Sequence, residues 1–227
     1  MAGRQTNVTL HPLANYNFGS KAEKVEKDAT LQERTTRLKA LYQQQGMRRS
    51  VEAILLVHQH RHPHLLLLQV NASFFKLPGG RLRPHEDEVA GLKRKLHNTL
   101  SPEGASLVTN WEVGECAATF WRSGFEPAMY PYIPPHITKP KEVKRLFLVP
   151  MPERCYLAVP KNVKLVAVPL FELYDNLPRF GMVISQIPII VSRVRFAMAN
   201  DQSAVEKRPS DAPTLGSEQQ GDAQGQA

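Results

Sequence analysis

An α/β domain of mixed strands with interspersed helices is predicted by three observations. Apolar runs of strand length recur along the first 200 residues, amphipathic runs with helical spacing lie between them, and Gly and Pro punctuate the two. The chain has 227 residues, 42% hydrophobic and 22% charged, an ordinary globular mixture with room for one domain or at most two.

Taken in order, Asp28–Gln45 places Leu31, Thr35, Leu38, Leu41 and Tyr42 at helical spacing, with Asp28 as the expected N-cap and Gly46 as the stop. Residues 50–58 and 64–70 are nearly continuous apolar runs and predict buried strands joined by a turn at Arg61–Pro63. After a Gly-Gly pair, Glu86–Leu100 stacks Val89, Leu92, Leu96 and Leu100 on one face and predicts a helix. Strands are expected around 111–121, 145–149 and 164–168, and helices over 170–176 and 188–198. Phe125–Pro140 carries five prolines, which exclude regular structure there. Residues 201–227 hold almost no large apolar side chain, so they cannot bury enough surface to offset their ordering entropy and are expected to be disordered. The expected organisation is an N-terminal arm and helix over 1–49, a domain over 50–200 and a tail over 201–227.

The net charge is +8, and the tail alone is −3, which leaves the preceding 200 residues at +11. Such a body concentrates polyanions around itself. No apolar run approaches the ~20 residues that span a bilayer, and the first residues lack a signal peptide's apolar core. The only cysteines, Cys116 and Cys155, form no Cys-x-x-Cys pair, which excludes a zinc ribbon and fits a reducing compartment. A soluble intracellular protein is expected.

Two further clusters carry weaker signals. His58, His60, His62 and His64 alternate, as metal ligands on one strand face would, yet Pro63 breaks the period and no Cys or acid completes a set. A polar hairpin tip is the expectation, with no metal and no cofactor. Lys139, Lys141, Lys144 and Arg145 form a basic run, expected as a solvated face or phosphate patch.

The chemistry-bearing motif is Gly80-x5-Glu86-x7-Arg94, which resembles the first half of the Nudix signature, G-x5-E-x7-R-E-U-x-E-E-x-G-U with U aliphatic. In Nudix hydrolases the glutamates that follow the arginine hold Mg²⁺ or Mn²⁺ against a diphosphate, because hard cations want anionic oxygens. Here those positions are Lys95, Asn98 and Thr99, and the closing pair is Ser101-Pro102. Glu86 and Glu88 remain beside Lys93, Arg94 and Lys95, a poor cage for a dication.

From Leu10 to Phe196 the chain closely resembles the small, Nudix-fold subunit family of pre-mRNA cleavage factor Im. The resemblance is carried by His11-Pro-Leu-x-Asn-Tyr-x-Phe-Gly, Gly46-Met-Arg-Arg-Ser-Val-Glu, Phe74-Phe-Lys-Leu-Pro-Gly-Gly, Tyr130-Pro-Tyr-Ile-Pro-Pro-His-Ile-Thr-Lys-Pro-Lys and Pro169-Leu-Phe-Glu-Leu-Tyr-Asp-Asn. It implies an α/β Nudix fold, a mixed β-sheet sandwiched between helices, catalytically degenerate. It also implies a nuclear homodimer that binds UGUA single-stranded RNA in pre-mRNA and carries a larger RRM-containing subunit. Poly(A) polymerase and other cleavage and polyadenylation factors are further implied partners.

The RNA-binding positions it implies are Glu26, Arg34, Glu52, Ser73, Phe74, Phe75, Leu77, Phe180 and Gly181. Phe74 is expected to stack a base and Phe75 to act through its backbone, since neighbouring strand residues face opposite sides; burial of both in the core is the alternative. Glu52 interrupts an apolar strand, so it needs a partner or an edge position; the resemblance makes it the acceptor for guanine N1–H and N2–H. Arg34 on its own is equally a solvated helix residue. Phe180 stands where the family usually has Tyr, which keeps a stacking face and loses a phenolic hydrogen bond. Two other functions stay open: a residual nucleoside or dinucleoside polyphosphate hydrolase using Glu86 and Glu88, and a protein scaffold whose cleft is vestigial or holds a small nucleotide.

Overall fold

The computed structural model describes residues 6–25, 28, 30–70, 74–103 and 109–200. The expectations for Glu26, Ser73 and the 201–227 tail fall outside these residues.

The backbone of the fold is a four-stranded sheet in the order β7-β3-β9-β8, comprising β3 (Arg48–Ile54), β7 (Gly79–Arg81), β8 (Cys116–Arg122) and β9 (Glu142–Leu148). A second sheet runs β11-β5-β4, from β4 (Leu56–Gln59), β5 (His62–Gln69) and β11 (Lys164–Pro169), with the two-residue β6 (Phe75–Lys76) pairing β5. The single strand expected over 50–58 is therefore two, separated at Leu55 and shared between the sheets. The run Ala53–Val57 across the break is apolar and buried throughout, and such a run carries no alternation by which periodicity could divide it into two elements.

The hairpin turn falls at His60 and Arg61, both at positive φ (50° and 62°), and Pro63 lies inside β5 rather than in the turn. Because β11 ends opposite His64, Pro63 has a strand neighbour on one side only. Two of the four histidines are not at a polar tip. His58 is buried with Nε2 2.9 Å from the Ala199 carbonyl, and His64 is buried with Nδ1 2.8 Å from the His62 carbonyl.

Two parallel strand pairs bring in segments whose sequence carries no clear period. β1 (Asn7–Leu10) pairs with β12 (Arg195–Met198), and β2 (Tyr16–Lys21) pairs with β10 (Cys155–Pro160). The helix expected over 188–198 is consequently cut short. Only α5 (Ile187–Val191) is helical, and the rest becomes β12 because β1 offers it an edge. Similarly, 170–176 yields the four-residue α3 (Leu170–Leu173), followed by α4 (Leu177–Ser185) with a break at Gly181, φ 74° and ψ 168°.

Helix α1 (Leu31–Gln45) is capped by Thr30, whose Oγ1 accepts from the Glu33 N–H at 3.1 Å, rather than by Asp28. Asp28 is instead engaged by the Arg37 fork, with Nε and Nη2 at 2.7 and 2.5 Å. Gly46 closes the helix at φ 70° as expected. Helix α2 (Glu88–Leu100) starts two residues late, on Asp87, whose Oδ2 accepts from the Ala90 N–H at 3.0 Å. The stretch 125–140 contains no helix or named strand, only a bridge between Trp121 and Tyr130.

Two apolar clusters sandwich the β7-β3-β9-β8 sheet. Val51, Ala53 and Phe147 point toward Leu92, Leu96 and Leu100 of α2. Ile54, Leu146 and Leu148 share the opposite cluster with Leu77, Phe120, Phe180 and Ile184. Alternation along β3 sets this division: Arg48, Ser50, Glu52 and Ile54 face away from α2. The site is built on that second face.

Candidate nucleic-acid interface

Glu52 occupies the middle of β3, between β7 and β9, opposite Gly79 and Leu146. A carboxylate on an interior strand needs a counter-ion, and Lys144 supplies it, Nζ to Oε1 2.7 Å. Both side chains are largely covered, at 13% and 17% exposure. Among the described residues this lysine is the only partner of the Glu52 carboxylate, which leaves Oε2 as an unused acceptor. The turn above it depends on Gly79, at φ 146°, where an added Cβ would lie 2.2 Å from the Val51 carbonyl and 2.6 Å from Glu52 Cα. Close approach of that turn to the Glu52 backbone is what the Gly-Gly pair provides.

The same turn carries the aromatic pair. Phe74 is 47% exposed, whereas Phe75 is half-buried against the core cluster. Leu77 is buried beneath them. The Phe75 and Phe180 rings stand 5.0 Å apart at 51°, and the Arg179 guanidinium lies 5.0 Å from the Phe180 ring and 5.9 Å from Phe75. Phe180 itself is only 5% exposed, so the open plane at this corner is the arginine rather than the phenylalanine ring. The break at Gly181, where a Cβ would meet nothing within 4 Å, lets the chain turn just after that ring.

Glu52, Phe74, Phe75, Leu77, Phe180 and Gly181 thus converge through β3, the 74–79 turn and α4. Arg34 is exposed on α1 and lies toward the Arg48 end of the same face, close enough to Arg48 for the two charges to repel. Lys144 and Arg179 are the participants that sequence inspection missed as site residues. Lys144 belongs to the basic run from Lys139 to Arg145, but its alignment beside Glu52 depends on the β3–β9 register.

The opposite face of the sheet carries the half-signature. Glu86 accepts from Arg94 Nε and Nη2, both at 2.6 Å, and from the Arg83 N–H at 2.7 Å. The Arg94 fork first, then the Arg83 N–H, holds its carboxyl down at about 2. Glu88 bridges Arg49 at 3.0 Å and Arg145 at 2.7 Å. Lys95 lies over Gly80, whose added Cβ would be 3.7 Å from Nζ. Burial, then the neighbouring Arg94 and Lys24 charges, lowers its ammonium pKa. Among the described residues no group of three or more His, Cys, Asp or Glu side chains is placed to hold a metal ion.

The NUDIX_2 family model, described as a nucleotide hydrolase, matches residues 6–194, and the fold defines a Nudix-family protein. Three curated relatives narrow this. Pre-mRNA cleavage factor Im 25 kDa subunit 2 of Arabidopsis thaliana is 59% identical over 191 residues, 84% of this chain and 96% of the relative. Cleavage and polyadenylation specificity factor subunit 5 of Dictyostelium discoideum is 51% identical over 187 residues, covering 82% and 92%. Pre-mRNA cleavage factor Im 25 kDa subunit 1 of Arabidopsis thaliana is 50% identical over 191 residues, covering 84% and 86%. The chain belongs to the Nudix-fold family of cleavage factor Im 25 kDa subunits.

Proposed function

We propose that this chain is the sequence-reading subunit of a nuclear pre-mRNA 3′-end processing factor, binding UGUA single-stranded RNA without hydrolysing it. The observation that carries this is Glu52, a carboxylate whose one partner among the described residues is a lysine on Oε1, set beside a turn whose Phe74 is 47% exposed. Guanine offers N1–H and N2–H side by side, and a carboxylate accepts both, while an exposed ring stacks an adjacent base. Glu26, Arg34 and Ser73 complete the proposed contacts, with Phe75 and Leu77 shaping the turn and Arg179 covering Phe180.

The names of the curated relatives support a role in mRNA 3′-end processing. Family membership supports a homodimeric scaffold carrying a larger RRM-containing subunit and meeting poly(A) polymerase and other cleavage factors. Absence of hydrolysis is supported by Lys95, Asn98 and Thr99 at the signature's metal-binding positions and by the arginines that occupy Glu86 and Glu88.

The test is fluorescence anisotropy at fixed salt with UGUA and UAUA oligonucleotides. Clear preference for UGUA is expected, and equal affinity for the two overturns the proposal. Incubation with a dinucleoside polyphosphate and Mg²⁺ or Mn²⁺ should give no turnover; metal-dependent turnover abolished by Glu86→Gln would establish the hydrolase alternative.

A further inference from the structure

Beside α1 the fold gathers positive charge that the described residues only partly neutralise. A shallow cleft is lined by Arg48, Arg81, Arg122 and Lys141 together with Leu38, Leu41 and Tyr42 of α1 and Phe125. Among the described residues Glu142 is the only carboxylate in that lining. It is buried and already held by Ser50 Oγ at 2.7 Å, Arg122 Nε at 3.0 Å and Arg48 Nε at 3.2 Å. The other partners are neutral. Arg81 donates to the Gln45 side-chain carbonyl, and Arg122 Nη1 donates to the Glu126 backbone carbonyl. Lys141 Nζ sits 4.1 Å from the centre of the Tyr42 ring, a cation resting on a π face.

Four cations around one carboxylate leave a half-enclosed lining at +3, with Arg34 adding a further charge nearby. Burial lowers the Arg48 pKa below its ordinary value despite Glu142, and Arg81, Arg34 and Arg122 add to that effect. Like charges held together in a partly dry cleft repel strongly. A polyanion that arrives with its own charge relieves that repulsion. Guanidinium forks match phosphate oxygens in two-point geometry, and the lysine adds a point charge.

We propose that this cleft is a phosphate-binding subsite that takes a backbone phosphodiester of RNA flanking the tetranucleotide read at Glu52. The RNA part rests on the function proposed above; the phosphate chemistry does not. Continuity of the face supports the link. Arg48, Ser50 and Glu52 alternate on one side of β3, which puts Arg48 about 13 Å along the strand from Glu52. One RNA strand can therefore be read at one end of the face and anchored at the other. Base contacts specify and phosphate contacts position, and here the two lie on one strand face with Ser50 between them.

The test uses the full chain and the double variant Arg81→Gln/Lys141→Gln, which spares the two arginines that hold Glu142. Anisotropy is measured over a salt series with bare UGUA, UGUA embedded in flanking uridines, and the matching UAUA oligonucleotides. Wild type should bind the flanked RNA tighter and with a steeper salt slope than bare UGUA. In the double variant the flanked RNA should weaken roughly tenfold, and the slope of log K against log salt should fall by about 0.7 for each phosphate that is no longer neutralised. Bare UGUA and its preference over UAUA should be unchanged. Should the double variant melt early, the two single variants are read the same way. A folded variant with wild-type affinity and slope for flanked RNA overturns the subsite. Loss of the UGUA preference in wild type overturns the function above instead. Equilibrium dialysis with radiolabelled pyrophosphate then decides the cleft. Retention that the double variant loses keeps a phosphate site and assigns it to a free phosphoryl ligand, and no retention by wild type removes the site.

Discussion

The two faces of the β7-β3-β9-β8 sheet hold carboxylates of the same kind in opposite ways. On the α2 face both oxygens of Glu86 are taken by the Arg94 fork, and both oxygens of Glu88 are taken by Arg49 and Arg145. On the other face Glu52 meets a single lysine among the described residues, with Nζ 2.7 Å from Oε1. An arginine fork matches a carboxylate in two-point geometry, while an ammonium is a point charge. The identity of the cation therefore separates glutamates that fasten the fold from one that can still accept a hydrogen bond. Neither residue type nor burial alone makes that distinction: Glu52 is at least as covered as Glu86, at 13% against 15% side-chain exposure.

The largest effect that tests this contrast is on stability. Gly79→Ala forces a side chain into a backbone conformation reserved for glycine and drives Cβ against the Val51 carbonyl, so it should cost on the order of 3 kcal/mol or more in urea unfolding. Gly91→Ala on α2 should cost less. Its obstruction is the tip of the Leu82 side chain at 2.1 Å, which can move, and alanine favours the helix by roughly 1 kcal/mol. A reversed order would mean that the 74–79 turn is not held against Glu52 as described.

Next in size is Phe74→Ala, which should weaken UGUA binding by about 1–3 kcal/mol while leaving the salt slope unchanged, as removal of a stacking platform does. Val89→Ala, an exposed apolar residue on the α2 side, should leave RNA affinity unchanged. Equal losses from the two variants would erase the distinction between the faces.

A smaller effect concerns acid stability. A carboxylate whose pKa is depressed in the fold stabilises it above its ordinary value and loses that contribution as pH falls. For Glu86 the window runs from about 4.5 down to about 2. Glu86→Gln should therefore lower the melting temperature at pH 6, and the gap to wild type should close as the pH approaches 2. A constant gap would mean that the Arg94–Glu86 pair is not its source. The smallest effect is kinetic: Cys116 is exposed, whereas burial pushes the Cys155 thiol up to about 11, so alkylation at pH 8 should modify Cys116 first.

The parts of the fold legible in sequence are those with a strong local period. Of the expected α2 stripe, Leu92, Leu96 and Leu100 are buried and Val89, in the first turn, is exposed, while β11 and the Gly46 stop lie where the residues put them. The strands β1, β2, β10 and β12 were not legible, because each gains its structure from a distant partner through parallel pairing rather than from its own pattern. The break at Leu55 was hidden for the opposite reason, since burial on both faces removes the alternation that would mark a change of sheet. At the site, Glu52 announced itself as an acid in an apolar strand. Its lysine did not, because only the β3–β9 register, with Ser50 opposite Lys144, brings the two together. Arg179 was equally hidden, because its place over the Phe75 and Phe180 rings comes from α4 meeting the 74–79 turn, which no local pattern announces.

The central claim is that Glu52 reads a base while the glutamates of the α2 face do not. It is tested most directly by titrating wild type, Glu52→Gln and Glu88→Gln against UGUA and UAUA at one salt concentration. Converting one carboxylate oxygen of Glu52 to an amide replaces an acceptor with a donor that faces guanine's own donors. Glu52→Gln should thus weaken UGUA and spare UAUA, while Glu88→Gln should leave the ratio of the two affinities at its wild-type value. If Glu52→Gln instead strengthened both RNAs alike, the carboxylate would be acting only as a negative charge on a basic protein, and the account would be wrong.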